Sequence, residues 1–289
     1  MNNLSQFLPD NFNTNKKIAL IAGRDNYPIL IADRIKKAGV PLSLISFKGE
    51  TEPSLIDQFE KKDHYSIKVG QLGKMLKSLA SLEVNTAIMA GQVTPSKLFR
   101  GLHPDLKAIR VLNSLKEKNA ESIFGAIGDE MQKIGVQLLD ARSFMEEDMA
   151  SHGVMTGGKF NEDLHSLSHG IRIAKEIAKL DIGQGVVVRK GTVIAVEGFE
   201  GTNEMIQRAG KLCDQKMIFV KTVKRNQDYR FDVPVFGMKS LEVLKEAGIK
   251  SAALEANRTI ILDKKTVLKT AKKYKIQIYG YLENESIAH

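Results

Sequence analysis

Short apolar runs and stretches of helical spacing alternate along the first half of the chain. Lys17–Ala22 is an apolar run that stops at Gly23, the pattern of a buried strand. Pro28 to Lys37 carries apolar residues at helical spacing and is closed by Gly39. Leu42–Phe47 and Thr86–Ala90 predict further strands, the second ending in Gly91, and Ser66–Val69 predicts a shorter one. Gly70–Ser81, Leu106–Leu115 and Ser122–Lys133 predict helices, and Val136–Asp140 a strand. Strand and helix in alternation imply a parallel sheet covered by helices. Residues 1 to about 145 therefore read as a Rossmann-like N-terminal domain, opened by a polar, loosely held segment over 1–16.

The pattern breaks over Met145–Lys159, where Gly153, Gly157 and Gly158 fall close together. Residues 146–160 read as an interdomain connection, and Gly153–Gly158 as a place where the domains could close. A long helix to Leu180 comes next. Gly185–Arg189 and Val193–Glu197 flank Lys190-Gly191-Thr192, a hairpin signature. Asn203–Cys213, Leu241–Ala247 and Lys264–Tyr274 predict helices; Met217–Val220 and Lys275–Tyr279 predict strands. Ala252–Glu255 and Thr259–Leu262 resemble two strands around Asn257-Arg258. Hairpins mixed with crossovers predict a mixed-sheet α/β domain over 161–289, with a ligand cleft between the two domains.

One stretch carries more chemistry than the others. From Asp228 to Val233 charged and apolar residues alternate strictly. Extended backbone would put Asp228, Arg230 and Asp232 on one face and Tyr229, Phe231 and Val233 on the other. Two carboxylates beside a guanidinium, with Lys221, Lys224 and Arg225 upstream, suit a magnesium-bound phosphate: acids hold a hard cation or orient water, and cations neutralise phosphate oxygens. A solvated strand face with self-compensating charges has the same pattern.

Composition narrows the partners. The 289 residues suggest about two domains, and the formal net charge of +9 favours anionic ligands. Tryptophan is absent, and the lysines are scattered, with no zinc-finger spacing or aromatic RNA-binding signature. A phosphorylated small molecule or lipid head group suits this charge at least as well as nucleic acid. Cys213 is the only cysteine, so no intrachain disulfide forms and a reducing cytoplasm is the simplest compartment. No leader and no apolar run of membrane-spanning length is visible, which implies a soluble or peripheral protein.

Other positions have two readings each. Gly23-Arg24-Asp25 could bring backbone amides to an anion or make a tight turn; a dinucleotide fingerprint needs two more glycines. Gly91 ends a strand at the edge where ligands of such sheets bind. Gly70-Gln71-Leu72-Gly73 could cap a phosphate or present Gln71 to a base, or only open a helix. Glu197 and Glu200 end a strand before Gly201-Thr202; Glu200 could bind metal, and Thr202 could touch phosphate or cap the helix. His165 and His169 lack a third zinc ligand nearby and read as surface residues. Leu98, Phe99 and Leu102, or Met145, Met149 and Met155, could line an apolar channel or pack in a core.

Ile21–Arg24 with Pro28, Gly70–Gly73, Met89–Gly91, His152–Thr156, Asp181–Gly185, Ala195–Thr202, Gln227–Pro234 and Arg258–Asp263 follow one another in a set order. Taken together, these segments resemble the UDP-2,3-diacylglucosamine pyrophosphatase family of lipid A biosynthesis, the type distinct from the metallophosphoesterases. The resemblance implies magnesium-dependent hydrolysis of an acylated UDP-sugar to UMP and 2,3-diacylglucosamine 1-phosphate, with water directed at the β-phosphorus. It implies a catalytic role for Asp232. With Asp228 and Arg230 as its partners, the substrate-binding set becomes Gly23, Arg24, Gln71, Gly73, Gly91, Thr202, Lys221, Lys224 and Gln227, and the metal set Asp232 and Glu200. A cytoplasmic enzyme in peripheral contact with the inner membrane, and a homodimer, are compatible with such a role; nucleic acid is not expected. Relatives usually carry Gly-Asp-Leu-Pro where this chain has Asp25-Asn26-Tyr27-Pro28, and an aspartate where it has Asn203. The rival readings are an NAD(P)-dependent oxidoreductase and a non-catalytic nucleotide-sugar-binding protein.

Overall fold

The structure is a computed structural model that describes residues 4–93, 104–117, 119–213 and 216–282. Its chain divides into two units, residues up to Glu146 together with Asp228–Asp232, and Glu147–Gln227 together with the residues from Val233 onward.

Strand β1 (Ile18–Ala22) is buried at every position, as a run apolar on both faces must be at the centre of a parallel sheet. It pairs in parallel with β2 (Leu42–Phe47) on one side and β4 (Thr86–Ala90) on the other. β3 (His64–Ile67) and β5 (Gln137–Leu138) complete a five-stranded parallel sheet of order β3-β2-β1-β4-β5. The order reverses beside β1, so the crevice beyond the carboxyl ends of β1 and β4 is the topological switch point of a Rossmann-like sheet. Helix α1 (Tyr27–Lys37) starts with Pro28 in its first turn and ends in basic residues, both favourable to a helix. α2 (Pro53–Ile56) is a single turn; α3 (Leu72–Ser81), α4 (Leu106–Ser114) and α5 (Ala120–Lys133) complete this unit. Leu72, Met75, Leu76 and Leu79 form the buried stripe of α3, packed with Ile21 and Ile45 of the sheet. Truncating a fully buried residue such as Leu79 to alanine costs about 2–5 kcal/mol.

The described part of the N-terminal segment is not loose. Ser5 accepts from the Phe144 amide at 2.9 Å and donates to Glu146, and Phe12 meets Phe144 edge to face. One serine and one phenylalanine tie it to the Phe144–Glu146 stretch.

The second unit has a six-stranded mixed sheet of order β6-β13-β11-β9-β7-β8. β9 (Ile218–Lys221), β11 (Ser251–Glu255) and β13 (Gln277–Tyr281) are parallel. The hairpin of β7 (Gly185–Arg189) and β8 (Thr192–Val196) joins β9 antiparallel, with Lys190 and Gly191 at positive φ in its turn. Helices α6 (Leu164–Lys179), α7 (Thr202–Leu212), α8 (Met238–Glu246) and α9 (Lys264–Tyr274) cover this sheet. Asp163 caps α6 by accepting from the His165 and Ser166 amides.

Two expectations are corrected, over 146–160 and over 228–233. The stretch read as a connection is stitched into the second sheet: β6 (Gly153–Val154) pairs antiparallel with β13, and Met155 N donates to Ile278 O at 2.9 Å. A closing hinge at Gly153–Gly158 would have to break that pairing. The two strands read around Asn257-Arg258 are both present, the first as β11 and the second reduced to two residues. β12 (Ile260–Ile261) pairs in parallel with β10 (Val235–Phe236), outside the sheet that holds β11. And Asp228–Val233 is not a strand but a turn.

Candidate active site

At the switch point the loops after β1 and β4 are in direct contact. Gly23 N donates to Ala90 O, Arg24 N to Gln92 O, and Gln92 N back to Arg24 O. A Cβ on Gly23 would lie 2.4 Å from the Gln92 carbonyl oxygen, and one on Gly91 would lie 2.5 Å from that of Arg24. Close approach of backbone to backbone is thus enough to require both glycines. Beside them Asp25 has φ +76°, in the left-handed region that favours glycine. Tyr27 is buried and donates its hydroxyl to Ala141 O; burial and the neighbouring Asp140 push its ionisation far upward.

Ala141 leads to the acid-and-base turn. Its amide donates to Tyr229 O at 2.8 Å. The turn is closed by Asp232 N donating to Asp228 O at 3.0 Å, and the Asp228 carboxylate accepts from the Arg230 amide at 3.1 Å. That local side-chain bond offers the backbone an alternative to the ladder, which is why the alternating pattern does not become a strand. Arg230 then folds back on Asp228 in a fork, Nε at 2.9 Å and Nη2 at 2.6 Å. This pairing, more than any other influence, holds the Asp228 carboxyl below the usual range and raises Arg230. Phe231 stacks on Phe124 of α5 at 5.6 Å between centroids. Asp232 is exposed. So Asp228, Arg230 and Asp232 are brought together, at the carboxyl edge of the first sheet, by a turn rather than by a shared strand face.

The sequence overlooked the partner of this turn. Asp140-Ala141-Arg142, just past β5, repeats the Asp-x-Arg spacing and folds the same way. Arg142 N donates to Asp140 at 2.8 Å, and its Nη2 donates to the same carboxylate at 2.6 Å. The Arg142 guanidinium lies 3.5 Å from the Tyr229 ring centroid and 4.2 Å from that of Phe7.

The start of α3 is already capped from within. Gln71 accepts from Lys68 N at 2.9 Å, and Asp105 accepts from Lys74 N at 3.2 Å; a Cβ on Gly73 would lie 3.1 Å from that Asp105 carboxylate. A carboxylate occupies the position anticipated for a phosphate.

In the second unit the candidates meet at the carboxyl ends of β9 and β11. Lys221 Nζ donates to Thr202 Oγ1 at 3.3 Å, and Thr202 donates to Glu197 at 2.6 Å. Gln227 accepts from Lys224 N at 3.3 Å, and Lys224 Nζ pairs with Asp181. Glu200 pairs with Arg208, which holds its carboxyl low. Glu255, which the sequence reading treated only as a strand end, is fully buried. It accepts from Lys175 at 2.8 Å, Arg258 at 3.0 Å, Thr222 at 2.9 Å and the Val223 amide at 2.8 Å. Arg258 also donates to Lys224 O at 2.9 Å. No local pattern marks Glu255, because three of its four partners come from two distant segments, and only Arg258 is near it in sequence.

Among the described residues no group of three or more His, Cys, Asp or Glu is arranged to hold a metal. Asp232 belongs to the first unit and Glu200 to the second. Cavities of about 410 Å³ (Lys36, Phe59, Asp63) and 360 Å³ (Phe12, Asn85, Gln137) open at the amino ends of the first sheet, opposite the turn. Met145 and Met149 are buried and Met155 packs against the second core, so these methionines line no open channel; Leu98, Phe99 and Leu102 lie outside the described residues. No described helix is long and apolar enough to cross a membrane.

Comparison with known proteins agrees with this two-unit architecture. The chain is 29% identical over 279 residues, 92% of its length and 97% of the other's, to the UDP-2,3-diacylglucosamine pyrophosphatase LpxI of Caulobacter vibrioides (strain ATCC 19089 / CIP 103742 / CB 15). Residues 17–148 match the family described as LpxI N-terminal domain, and residues 151–279 match the LpxI C-terminal domain. With both halves matched in order over nearly its whole length, the chain belongs to the LpxI family.

Proposed function

We propose that this protein hydrolyses the pyrophosphate of UDP-2,3-diacylglucosamine to UMP and 2,3-diacylglucosamine 1-phosphate. The observation that carries the reading is the likeness to the Caulobacter enzyme over nearly the whole of both chains, which takes in the 228–232 turn. Phosphoryl transfer needs little covalent participation from protein; it needs placement and charge. Arg230, locked by Asp228, supplies a fixed positive charge for a diphosphate oxygen. Asp232 accepts a hydrogen bond from the attacking water and orients it. The water oxygen bonds to the β-phosphorus and keeps one hydrogen there, the bond from that phosphorus to the bridging oxygen breaks, and the bridging oxygen leaves with UMP, whose phosphate takes up the second proton. Among the second unit's cations, Lys221 and Lys224 have the chemistry to meet phosphate.

Magnesium fits this donor set as an ion that arrives with the diphosphate. Mg2+ is commonly held by one or two carboxylates plus substrate phosphates, and Asp232 is an exposed carboxylate of that kind. Glu200, the other acid of the metal reading, lies in the second unit and pairs with Arg208. When bound, the ion would neutralise charge on the diphosphate.

The reading is tested by UMP release from the acylated nucleotide sugar, with and without magnesium, in heavy-oxygen water. The label is expected in the sugar phosphate. Label in UMP would refute attack at the β-phosphorus, and absence of any UMP would refute the activity.

A further inference from the structure

We infer that Arg142 is a positioning residue for catalysis, and that Asp140-Ala141-Arg142 is the template on which the 228–232 turn is held. The inference rests on the proposed activity for its kinetic arm only.

The two segments are alike in sequence and in geometry. Each is Asp-x-Arg; in each, the arginine amide and guanidinium both donate to the carboxylate two residues earlier. They are joined at their middle residues by Ala141 N to Tyr229 O, at 2.8 Å. The two arginines differ in exposure, the Arg142 side chain at 15% and the Arg230 side chain at 42%, while Asp140 and Asp228 are alike at 22% and 26%. The Arg142 guanidinium is therefore the more enclosed of the two, and the Arg230 guanidinium the more open to the medium.

Three features make Arg142 the fixing element. Asp140 holds its guanidinium in one plane. That plane lies against Tyr229, the middle residue of the Asp228–Arg230 segment, and against Phe7. And Ala141 is tied on its other side to Tyr27 of α1, so the platform is anchored at the switch point of the sheet. Phe124 against Phe231 sets the opposite end of the turn. Lysine at 142 would keep the charge but lose both the fork and the flat stack.

The test compares wild type with Arg142→Lys and Arg142→Ala by two readouts. Hydrogen exchange of the 228–232 amides does not depend on activity; it is expected to speed up in both variants while exchange in β1 and β4 stays at the wild-type rate. In the UMP assay kcat is expected to fall on the order of ten- to a hundredfold, the scale of a displaced catalytic group, with KM within about twofold. Millimolar guanidinium is expected to restore part of the Arg142→Ala rate. Wild-type exchange and wild-type kcat in Arg142→Lys would overturn the inference. Should Arg142→Ala fail to fold, Arg142→Lys alone decides. If wild type itself releases no UMP, the proposed activity fails, while the exchange data still decide whether Arg142 holds the turn.

Discussion

At the scale of the residue, backbone angle and charge pairing set what each side chain can do. Asp25 is held at φ +76°, where a Cβ crowds the following carbonyl. Aspartate tolerates this conformation better than most residues. Asp25→Gly is therefore expected to leave the urea midpoint unchanged or higher, and Asp25→Ala to lower stability by about 1 kcal/mol. Asp228 carries a second prediction. Arg230 lowers its folded-state pKa, so the stabilisation it gives is present above the ordinary carboxylate range and is lost as pH falls through the depressed value. Between pH 6 and 9 the pair stays charged, and an ionisation seen there in the rate profile belongs to another group. Asp228→Asn is expected to flatten the acid end of the stability curve and to leave the neutral end with the same slope. A steeper acid limb in that variant would contradict the pairing.

At the scale of the element, the polar junction at the carboxyl ends of β9 and β11 depends on one carboxylate. Glu255 has no exposed surface and accepts from two cations, a hydroxyl and an amide. Removing it takes a carboxylate from the part-exposed Lys175 and Arg258 and leaves the buried Thr222 hydroxyl and Val223 amide unmet, so Glu255→Leu is expected to cost about 1–3 kcal/mol in urea unfolding. A change under 1 kcal/mol would mean the network relaxes into water. This element also shows where a linear reading stops. β1, β2 and β4 were legible because a buried parallel strand is a continuous apolar run. The β7–β8 hairpin was legible because Lys190-Gly191 marks its turn. The 228–233 stretch was misread because period-two alternation carries no trace of the Asp228 side chain bonding the Arg230 amide. Asp228, Arg230 and Asp232 still lie together, since a turn gathers near neighbours as a strand face does. Glu255, Arg258 and Arg142 went unseen because what distinguishes them is long-range contact.

At the scale of the whole molecule, each unit ends its parallel strands in a polar edge. The first presents Arg24, the twin Asp-x-Arg turns and Asp232; the second presents Lys221, Thr202 and the Glu255 junction. The turn that carries Asp232 comes from the later part of the chain and belongs to the first unit. The most direct measurement is turnover of the acylated UDP-sugar by Asp232→Ala against wild type, with thermal unfolding recorded on both. The account predicts matching unfolding curves and a rate lower by at least about a hundredfold, the scale of removing one transition-state group. A folded Asp232→Ala that releases UMP at close to the wild-type rate would contradict it.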